Sequence, residues 1–169
     1  MAGAPFRRMP SLWGNKMLER SLVEELIYRS CLFLDEKDYK GYLDLCDEQF
    51  RYTIATHSPE IRRDMIWLDH DKKGMTTLLT QLPRHNSDHS PLTRHATVYT
   101  VRFDTAQQQG DVVSALQVFR TALEGGATEL FAVGKYLDTV KLTGGKLLLL
   151  RRVVKLDTRM LGIGYHIPF

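Results

Sequence analysis

The chain has little cysteine and no long apolar run. Its 169 residues include two cysteines, Cys31 and Cys46, and two thiols cannot build a disulfide framework. Its apolar runs, such as Leu147–Leu150, are far shorter than the roughly 20 residues of a membrane-spanning helix. These absences argue against a disulfide-rich secreted module and a membrane protein. With no visible signal peptide, they predict a reducing, cytoplasmic location.

Charge of one sign is not concentrated anywhere in the sequence. The net charge is only +3, whereas nucleic-acid binding usually needs a clustered basic face. The nearest candidate cluster is Arg151 and Arg152 with Lys155. It lies within a strand pattern, which favours a solvated or partner-facing strand edge over a phosphate-binding track. We therefore expect no nucleic-acid partner.

The familiar signatures of catalysis and cofactor binding are missing too. The sequence has no nucleotide-binding glycine loop, no Gly-x-Ser-x-Gly elbow and no Cys-x-x-Cys pair. It also has no Cys-x-His pair, so the chain alone cannot hold a Rieske cluster, which needs two cysteines and two histidines. The sequence therefore predicts no cofactor and no metal in this chain.

Hydrophobic periodicity indicates one domain. Residues 1–14 carry two prolines and two glycines and are predicted to form a flexible arm, whereas residues 15–169 form a single domain. Apolar residues recur at helical spacing from Asn15 to about Asp35. A shorter helix is predicted over about 39–46, a strand over 50–57 and a third helix over 71–82; "DMIWLD" at 64–69 is a possible short strand.

The second half of the chain is predicted to be all strand. Four segments rich in β-branched and aromatic residues span about 93–104, 111–123, 128–142 and 146–160. The breaks between them carry turn residues, and Gly144-Gly145 suits a two-residue hairpin. Helices first and a four-strand meander last predict an α+β fold, with helices packed on one face of a curved antiparallel sheet.

The last two strands are apolar on both faces. Alternate positions of 128–140 and of 146–156 both carry Leu, Val, Phe or Tyr, whereas a half-buried strand is polar at every second residue. One face can meet the helices. The other needs cover as well, because exposed apolar patches are a liability. Partner subunits are the simplest cover.

Histidines cluster between Pro83 and the first meander strand. His85, His89 and His95 lie there, with Asp88 among them, and a His-x3-His spacing could place two metal ligands on one helix face. The prolines and the Asn-Ser-Asp turn chemistry favour a hydrogen-bonded loop instead.

Two arrangements are candidates for acid–base chemistry. Asp69 and Asp71 flank His70, and a carboxylate can orient an imidazole, but adjacent strand residues point to opposite faces. His95 opens a strand and should share a face with Thr97, Tyr99, Val101 and Phe103. It is the best single acid–base candidate if that face lines a cavity, although a packed core or interface histidine is the simpler interpretation.

Three stretches resemble a known family. They begin at Glu24 (EELIYRSCLFLDEKDYKGYLDLCDEQFRYTIA), Ser90 (SPLTRHATVYTVRF) and Phe131 (FAVGKYLDTVKLTGGKLLLLRRVVKLDTRML). In this order, over about 16–162, they are similar to the small (beta) subunits of Rieske non-haem iron ring-hydroxylating oxygenases. The matching positions of the third stretch are Gly134, Tyr136, Asp138, Gly144-Gly145, Arg151-Arg152 and Leu156-Asp157.

The resemblance implies a fold and an assembly. The fold is a nuclear-transport-factor-2-like (cystatin-like) cone with a mixed sheet. The assembly has three large (alpha) and three small subunits and is served indirectly by a ferredoxin and a reductase. The large subunit carries the Rieske [2Fe-2S] cluster and the mononuclear Fe(II), and the small subunit usually has no catalytic residue. The substrate would be a small sulfonate or aromatic acid.

Two other functions stay open at this point. The same cone could be a stand-alone dehydratase or isomerase that uses His95 and Asp69, because a fold does not fix a function. It could also be a homo-oligomeric ligand-binding protein. An accessible cavity with His95 beside a carboxylate would favour the enzyme, whereas an interior filled by Leu, Phe and Val would argue against it.

Overall fold

Three helices and six strands make up the structure, a computed structural model that describes residues 12–85, 88–104, 106–161 and 167–169. The elements in chain order are α1 Leu12–Asp35, α2 Tyr39–Asp44, β1 Cys46–Ser58, β2 Arg63–Asp71, α3 Lys72–His85, β3 Leu92–Asp104, β4 Gln109–Thr121, β5 Thr128–Thr143 and β6 Lys146–Leu156. Within these described residues, no helix is long and apolar enough to cross a membrane.

The strands form one mixed sheet in the order β2-β1-β6-β5-β4-β3. Strands β3 to β6 are the predicted antiparallel meander. Strand β1 adds to β6 in parallel, and β2 pairs antiparallel with β1 as the edge strand. Gly144 and Gly145 both take positive φ, 57° and 77°, which is the conformation that a two-residue hairpin requires. The predicted α+β class is confirmed.

Several element boundaries differ from the sequence prediction; β6, for example, ends at Leu156 instead of near residue 160. Helix α1 begins at Leu12, three residues before the expected start; residues 1–11 of the predicted arm lie outside the described residues, and the arm stays a prediction. Strand β1 begins at Cys46, which was expected in a helix. Helix α3 runs through Pro83 to His85, so part of the predicted loop is helical. Pro83 lies two residues before the end of the helix. Its missing backbone N–H therefore interrupts few of the hydrogen bonds within the helix.

Three bulges change which side chains face the helices. The register shifts at Tyr99 in β3, at Phe131 in β5 and at Leu150 in β6. An extra residue reverses the alternation beyond it. The prediction that His95 shares a face with Val101 and Phe103 is therefore wrong: those two pack against the core, whereas His95 is exposed.

The same effect corrects the expected faces of β5 and β6. Strict alternation along these strands predicts Leu149 and Val154 on opposite faces, but both are fully buried because the bulge at Leu150 separates them. Alternation likewise groups Leu130 with Ala132, yet Leu130 is exposed and Ala132 is buried.

Helix α1 covers the inner face of the sheet. Its buried stripe includes Val23, Ile27 and Cys31, whereas Leu22, whose spacing matched that stripe, is half exposed. The inner face contributes aromatic and aliphatic side chains from the strands, including the partly buried Leu68 of the edge strand β2; fully buried examples are Tyr52, Val112, Leu116, Tyr136, Val140, Leu149 and Val154. At about 25 cal/mol per Å² of apolar area, this cluster is the main stabilising feature of the fold.

Gly134 is required by the close approach of β5 and β6. A Cβ atom at this position would lie 2.3 Å from the carbonyl oxygen of Lys155 and 2.8 Å from Cα of Leu156. Both are backbone atoms and cannot rotate away. The glycine therefore fixes the pairing that sets Tyr136 and Asp138 opposite Val154 and Arg152.

Candidate functional site

The interior of the cone is occupied by a buried ion pair. Nε of Arg152 donates to Oδ1 of Asp138 and Nη2 donates to Oδ2, both at 2.8 Å. Neither side chain has any exposed surface. Strand β6 supplies the arginine and β5 the aspartate, as cross-strand partners. A two-point contact of this kind is geometrically specific.

Helix α1 and an aromatic ring complete the surroundings of Arg152. Nη1 of Arg152 donates to Oγ of Ser30 over 2.9 Å. The guanidinium lies 3.9 Å from the centroid of the Tyr136 ring, close enough for a cation–π contact. The hydroxyl of Tyr136 in turn accepts a hydrogen bond from the Cys31 thiol, with a sulfur–oxygen distance of 3.8 Å. All the guanidinium nitrogens of Arg152 thus have partners, which is what a buried charge requires.

Electrostatics inside the cone suit a structural role. Burial raises the pKa of Asp138, and the Arg152 guanidinium opposes that rise. Although burial alone would lower it, the pKa of Arg152 is well above its ordinary value because the Asp138 carboxylate lies against it. Burial also raises the pKa of the phenols of Tyr42, Tyr52 and Tyr136. These phenols are therefore neutral at physiological pH.

The two thiols are equally unreactive. Burial raises the pKa of Cys31 and raises that of Cys46 to about 12. Since the thiolate is the nucleophile, burial disfavours the reactive form of both cysteines. The phenols and thiols of the cone interior are therefore held in their uncharged forms.

A second buried cation lies at the rim of the cone. Nη1 of Arg94 on β3 pairs with Oδ1 of Asp35, the last residue of α1. Nη2 of Arg94 donates to the carbonyl of Pro168 at 2.6 Å. The hydroxyl of Tyr52 both donates to the carbonyl of Phe169 and accepts from its N–H, at 2.9 and 2.8 Å. These contacts hold residues 167–169 against the cone.

A cleft of about 270 Å³ opens beside Arg94. Its apolar wall comes from Leu34, Leu82, Leu92 and Ile167, and its rim carries Lys37, Tyr39 and His89. We call it the Arg94 cleft. It lies outside the Arg152–Asp138 cluster, which is absent from its lining.

His95 is not directed into the cone. It is exposed on β3, and its ring meets that of Phe119 edge to face at a centroid distance of 5.4 Å. Strands β3 and β2 are the two edges of the sheet. At ~4.8 Å between neighbouring strands, His95 and Asp69 are roughly 24 Å apart along the sheet. The structure therefore does not bring the proposed acid–base pair together.

Asp69 is held by Arg51 and by the Thr53 hydroxyl on the outside of the sheet. Nη2 of Arg51 donates to its Oδ2 at 2.6 Å, Nε of Arg51 to its Oδ1 at 3.1 Å, and the Thr53 hydroxyl also to Oδ1 at 3.1 Å. The hydrogen bonds from Arg51 lower the pKa of Asp69. A carboxylate held ionised in this way is a poor general acid and a weak base.

The remaining sequence candidates are also separate. Asp71 accepts from the N–H of Gly74 at 2.7 Å and so caps α3, and the neighbouring His70 lies under that glycine. His89 lines the Arg94 cleft, while Asp88 accepts from the N–H of Ser90 and from Arg120. Across the described ranges, no group of three or more His, Cys, Asp or Glu has metal-binding geometry.

Sequence reasoning misjudged the basic pair on β6. Arg151 is exposed as expected, but Arg152 is completely buried, so the prediction of a solvated strand edge is wrong for it. A signal did exist: Tyr136 and Asp138 share one parity on β5, and a carboxylate on an otherwise apolar face needs a cation opposite it. The pairing of Arg94 with Asp35 joins distant segments and left no local signal.

Comparison with known proteins identifies relatives. Residues 29–162 match the family described as "Ring hydroxylating beta subunit". Over 153 residues the chain is 40% identical to the methanesulfonate monooxygenase hydroxylase subunit beta of Methylosulfonomonas methylovora, covering 86% of this chain and 84% of the relative. It is 32% identical over 146 residues to the 2-aminobenzenesulfonate 2,3-dioxygenase subunit beta of Alcaligenes sp., covering 86% and 96%.

Solved structures share the fold. The beta subunit of a putative aromatic-ring-hydroxylating dioxygenase from Novosphingobium aromaticivorans superposes with a TM-score of 0.72 at 18% identity, covering 86% of this chain and 93% of that one. A chain of naphthalene 1,2-dioxygenase gives 0.71 at 18%, covering 92% and 85%. An NTF2-like protein with a cystatin-like fold, also from N. aromaticivorans, gives 0.62 at 18%, covering 90% and 92%. The predicted nuclear-transport-factor-2-like cone is confirmed.

Proposed function

Because the chain belongs to the family of ring-hydroxylating oxygenase beta subunits, we propose that it is a structural subunit that assembles and stabilises large catalytic subunits. The observation that carries this proposal is the closed cone. A buried Arg152–Asp138 pair and neutral phenols fill the interior, where an enzyme built on the same fold would need an open pocket with an acid or base. His95 and Asp69 lie on opposite sheet edges, so the dehydratase or isomerase alternative is not favoured.

The outer face of the sheet is suited to burial in an assembly. Leu137 is 37% exposed and lies opposite Val153 across β5 and β6. Half-buried Val133 and Leu150 flank them, and the exposed cations Lys135 and Arg151 lie on the same strands. An apolar centre with charges at its margin is the composition typical of a protein interface. This supports a large-subunit or neighbouring small-subunit contact at this face.

The redox centres belong to the partner in this proposal. The two cysteines are buried, and neither belongs to a Cys-x-His pair. The chain's own residues therefore do not fit a Rieske cluster. Nor do its described residues offer a ligand set for mononuclear iron. The large subunit would carry both, in an assembly of three large and three small subunits, with a ferredoxin and a reductase delivering electrons.

We infer a small organosulfonate as the substrate of the assembled oxygenase. The two curated relatives described above are named for methanesulfonate and for 2-aminobenzenesulfonate. The sequence stretches Trp67–Met75 and Leu161–Phe169 also resemble the methanesulfonate monooxygenase small subunit more than the small subunits of dioxygenases for aromatic acids. The sulfonate group is what the two relatives' substrates have in common.

Co-expression with a large (alpha) subunit of an organosulfonate oxygenase tests the assembly. We expect the two chains to co-purify as a hexamer, measured by native mass spectrometry, and the chain alone to bind no iron and to oxidise neither sulfonate. A Leu137→Asp variant should lose the large subunit. Leu22→Asp, on the exposed side of helix α1, is the matched control and should still co-purify.

Two outcomes would contradict the proposal. One is a chain that stays apart from the large subunit while that subunit is fully active alone. The other is sulfonate or ring oxidation by the isolated chain.

A further inference from the structure

Residues 168 and 169 are held in the way that a protein holds a bound peptide. The Tyr52 hydroxyl accepts from the backbone N–H of Phe169 at 2.8 Å and donates to the carbonyl oxygen of the same residue at 2.9 Å. Nη2 of Arg94 donates to the carbonyl oxygen of Pro168 at 2.6 Å. Three hydrogen bonds from side chains thus hold the backbone of two consecutive residues, neither of which belongs to a helix or strand.

The ring of Phe169 fills an apolar recess. It is 1% exposed and belongs to the hydrophobic core, and it lies against the Phe131 ring at a centroid distance of 6.1 Å. Pro168 is buried as well, whereas Ile167 is partly buried and lines the Arg94 cleft. Backbone hydrogen bonds combined with a side-chain pocket are the means by which proteins recognise peptides.

The side chains that hold this segment come from distant strands. Tyr52 lies on β1, Phe131 on β5 and Arg94 on β3, and three strands separate β1 from β3 in the sheet. Two consecutive residues reach both strands because the sheet curves. Nη1 of Arg94 also pairs with Asp35 at the end of α1. The segment therefore connects helix α1 with three strands of the cone.

The site contains polar groups that the rest of the described chain does not satisfy. Tyr52 is fully buried and the side chain of Arg94 is 2% exposed. Among the described residues, the Tyr52 hydroxyl and Nη2 of Arg94 form hydrogen bonds only with residues 168 and 169. Burial raises the pKa of the Tyr52 phenol, which therefore keeps the proton that it donates. Because unpartnered buried polar groups are costly, a peptide of matching chemistry is favoured over an empty site.

We propose that Tyr52, Arg94 and Phe131 form a peptide-binding site whose resident ligand is the chain's own segment 167–169. The ligand class is an extended peptide in which phenylalanine follows proline. In this chain the resident segment acts as a latch that joins α1 to β1, β3 and β5. Its tether gives it an effective concentration of the order of millimolar, so a free peptide enters only when the resident segment is weakened. The site belongs to the chain itself and does not depend on the proposed assembly.

Isothermal titration calorimetry on the full-length chain and its Phe169→Ala variant tests the site. The probes are N-acetyl-Ile-Pro-Phe-amide and, as the control, N-acetyl-Ile-Pro-Ala-amide. We expect the variant to bind one phenylalanine peptide per chain, at least tenfold more tightly than the wild type does, and neither chain to bind the alanine peptide measurably.

Thermal melts give a second measurement. Phe169→Ala should melt roughly 5–15 °C below the wild type, because it removes a buried ring, and the phenylalanine peptide should recover part of that loss. Phe169→Leu keeps an apolar side chain and provides the same comparison if the alanine variant does not fold.

Further substitutions locate the bound peptide. Tyr52→Phe, combined with Phe169→Ala, should weaken peptide binding roughly tenfold because the peptide backbone loses its phenol partner. Tyr28→Phe in the same background is the matched control, since that phenol is 43% exposed on α1, and it should leave binding unchanged. With 4-fluorophenylalanine in the peptide, Phe131→Leu should change the fluorine chemical shift of the bound ring.

Three results would overturn the inference. They are no binding of the phenylalanine peptide by Phe169→Ala or Phe169→Leu, equal affinity for the phenylalanine and alanine peptides, and equal losses from Tyr52→Phe and Tyr28→Phe. None of them bears on assembly with the large subunit, so the two proposals fail independently.

Discussion

Two arginine–aspartate pairs of the same geometry occupy opposite faces of the sheet. Arg152–Asp138 lies inside the cone with no exposed surface, while Arg51–Asp69 lies outside with the arginine 59% and the aspartate 39% exposed. Both are two-point contacts. Their environment decides their importance, because water screens the outer pair whereas the inner pair has only its protein partners.

The comparison extends to the two faces themselves. The inner face closes on helix α1, and burial holds the phenols and thiols there in their uncharged forms. The outer face carries Leu137 and Val153 toward solvent, beside cations without a described partner. The buried polar groups of the interior thus pair with one another, whereas the side chains of the proposed interface lie on the outer face.

Removing the inner carboxylate should give the largest effect. Asp138→Ala leaves the Arg152 guanidinium buried and unpaired, and we expect it to lower the free energy of unfolding by about 3–5 kcal/mol. Asp69→Ala is the matched control and should shift the urea midpoint far less. Equal shifts for the two variants would remove the distinction between the pairs.

Replacing both inner charges should restore most of that loss. In the double variant Asp138→Leu with Arg152→Met no buried ion is left unpaired, so its stability should return to within about 2 kcal/mol of the wild type. Urea unfolding of Asp138→Leu, of Arg152→Met and of the double variant gives the coupling energy. A double variant as unstable as the sum of its parts would show that the pair is not a coupled unit.

Acid should remove the contribution that the surface carboxylate of Glu60 makes to stability. The pKa of Glu60 is lowered to about 2, against an ordinary value of 4.5, because hydrogen bonds from its own backbone N–H, the Ser58 hydroxyl and Arg159 favour the ionised carboxylate. A lowered pKa means stability that is present above pH 4.5 and is lost as the pH falls toward 2. Glu60→Gln should flatten this part of the stability–pH curve, while Glu36→Gln should not, as followed by thermal melts from pH 6 to pH 2.

The smallest effect is expected at the candidate acid–base residues. His95→Ala and Asp69→Asn should each leave the turnover of the co-purified oxygenase within twofold of the wild type, because neither side chain faces the cone interior. Sulfonate-dependent NADH oxidation measures this. A hundredfold loss in either variant, with the complex with the large subunit intact, would revive the enzymatic alternative.

The sequence predicted the elements better than the faces of its strands. The meander and its Gly144-Gly145 turn follow from local chemistry, because turn glycines and β-branched runs act over a few residues. The predicted side-chain faces are wrong beyond Tyr99 and around Leu150, because strict alternation assumes an unbroken register and a bulge breaks it.

The buried sites were less predictable than the elements. Arg152 follows another arginine, and only the pairing with β5 shows which of the two is inside. The contacts of Arg94 with Asp35 and Pro168 join segments far apart in the chain. Such contacts depend on the tertiary fold, which periodicity does not describe.

Hydroxyl-radical footprinting of the isolated chain and of its complex with the large subunit tests the central claim most directly. Modification rates at Leu137 and Leu150 report on the outer face, and those at Tyr136 report on the cone interior. We predict that complex formation suppresses modification of the two leucines severalfold, and that Tyr136 is unmodified in both states. Outer-face leucines that react equally in both states, or a Tyr136 that reacts readily, would contradict the account.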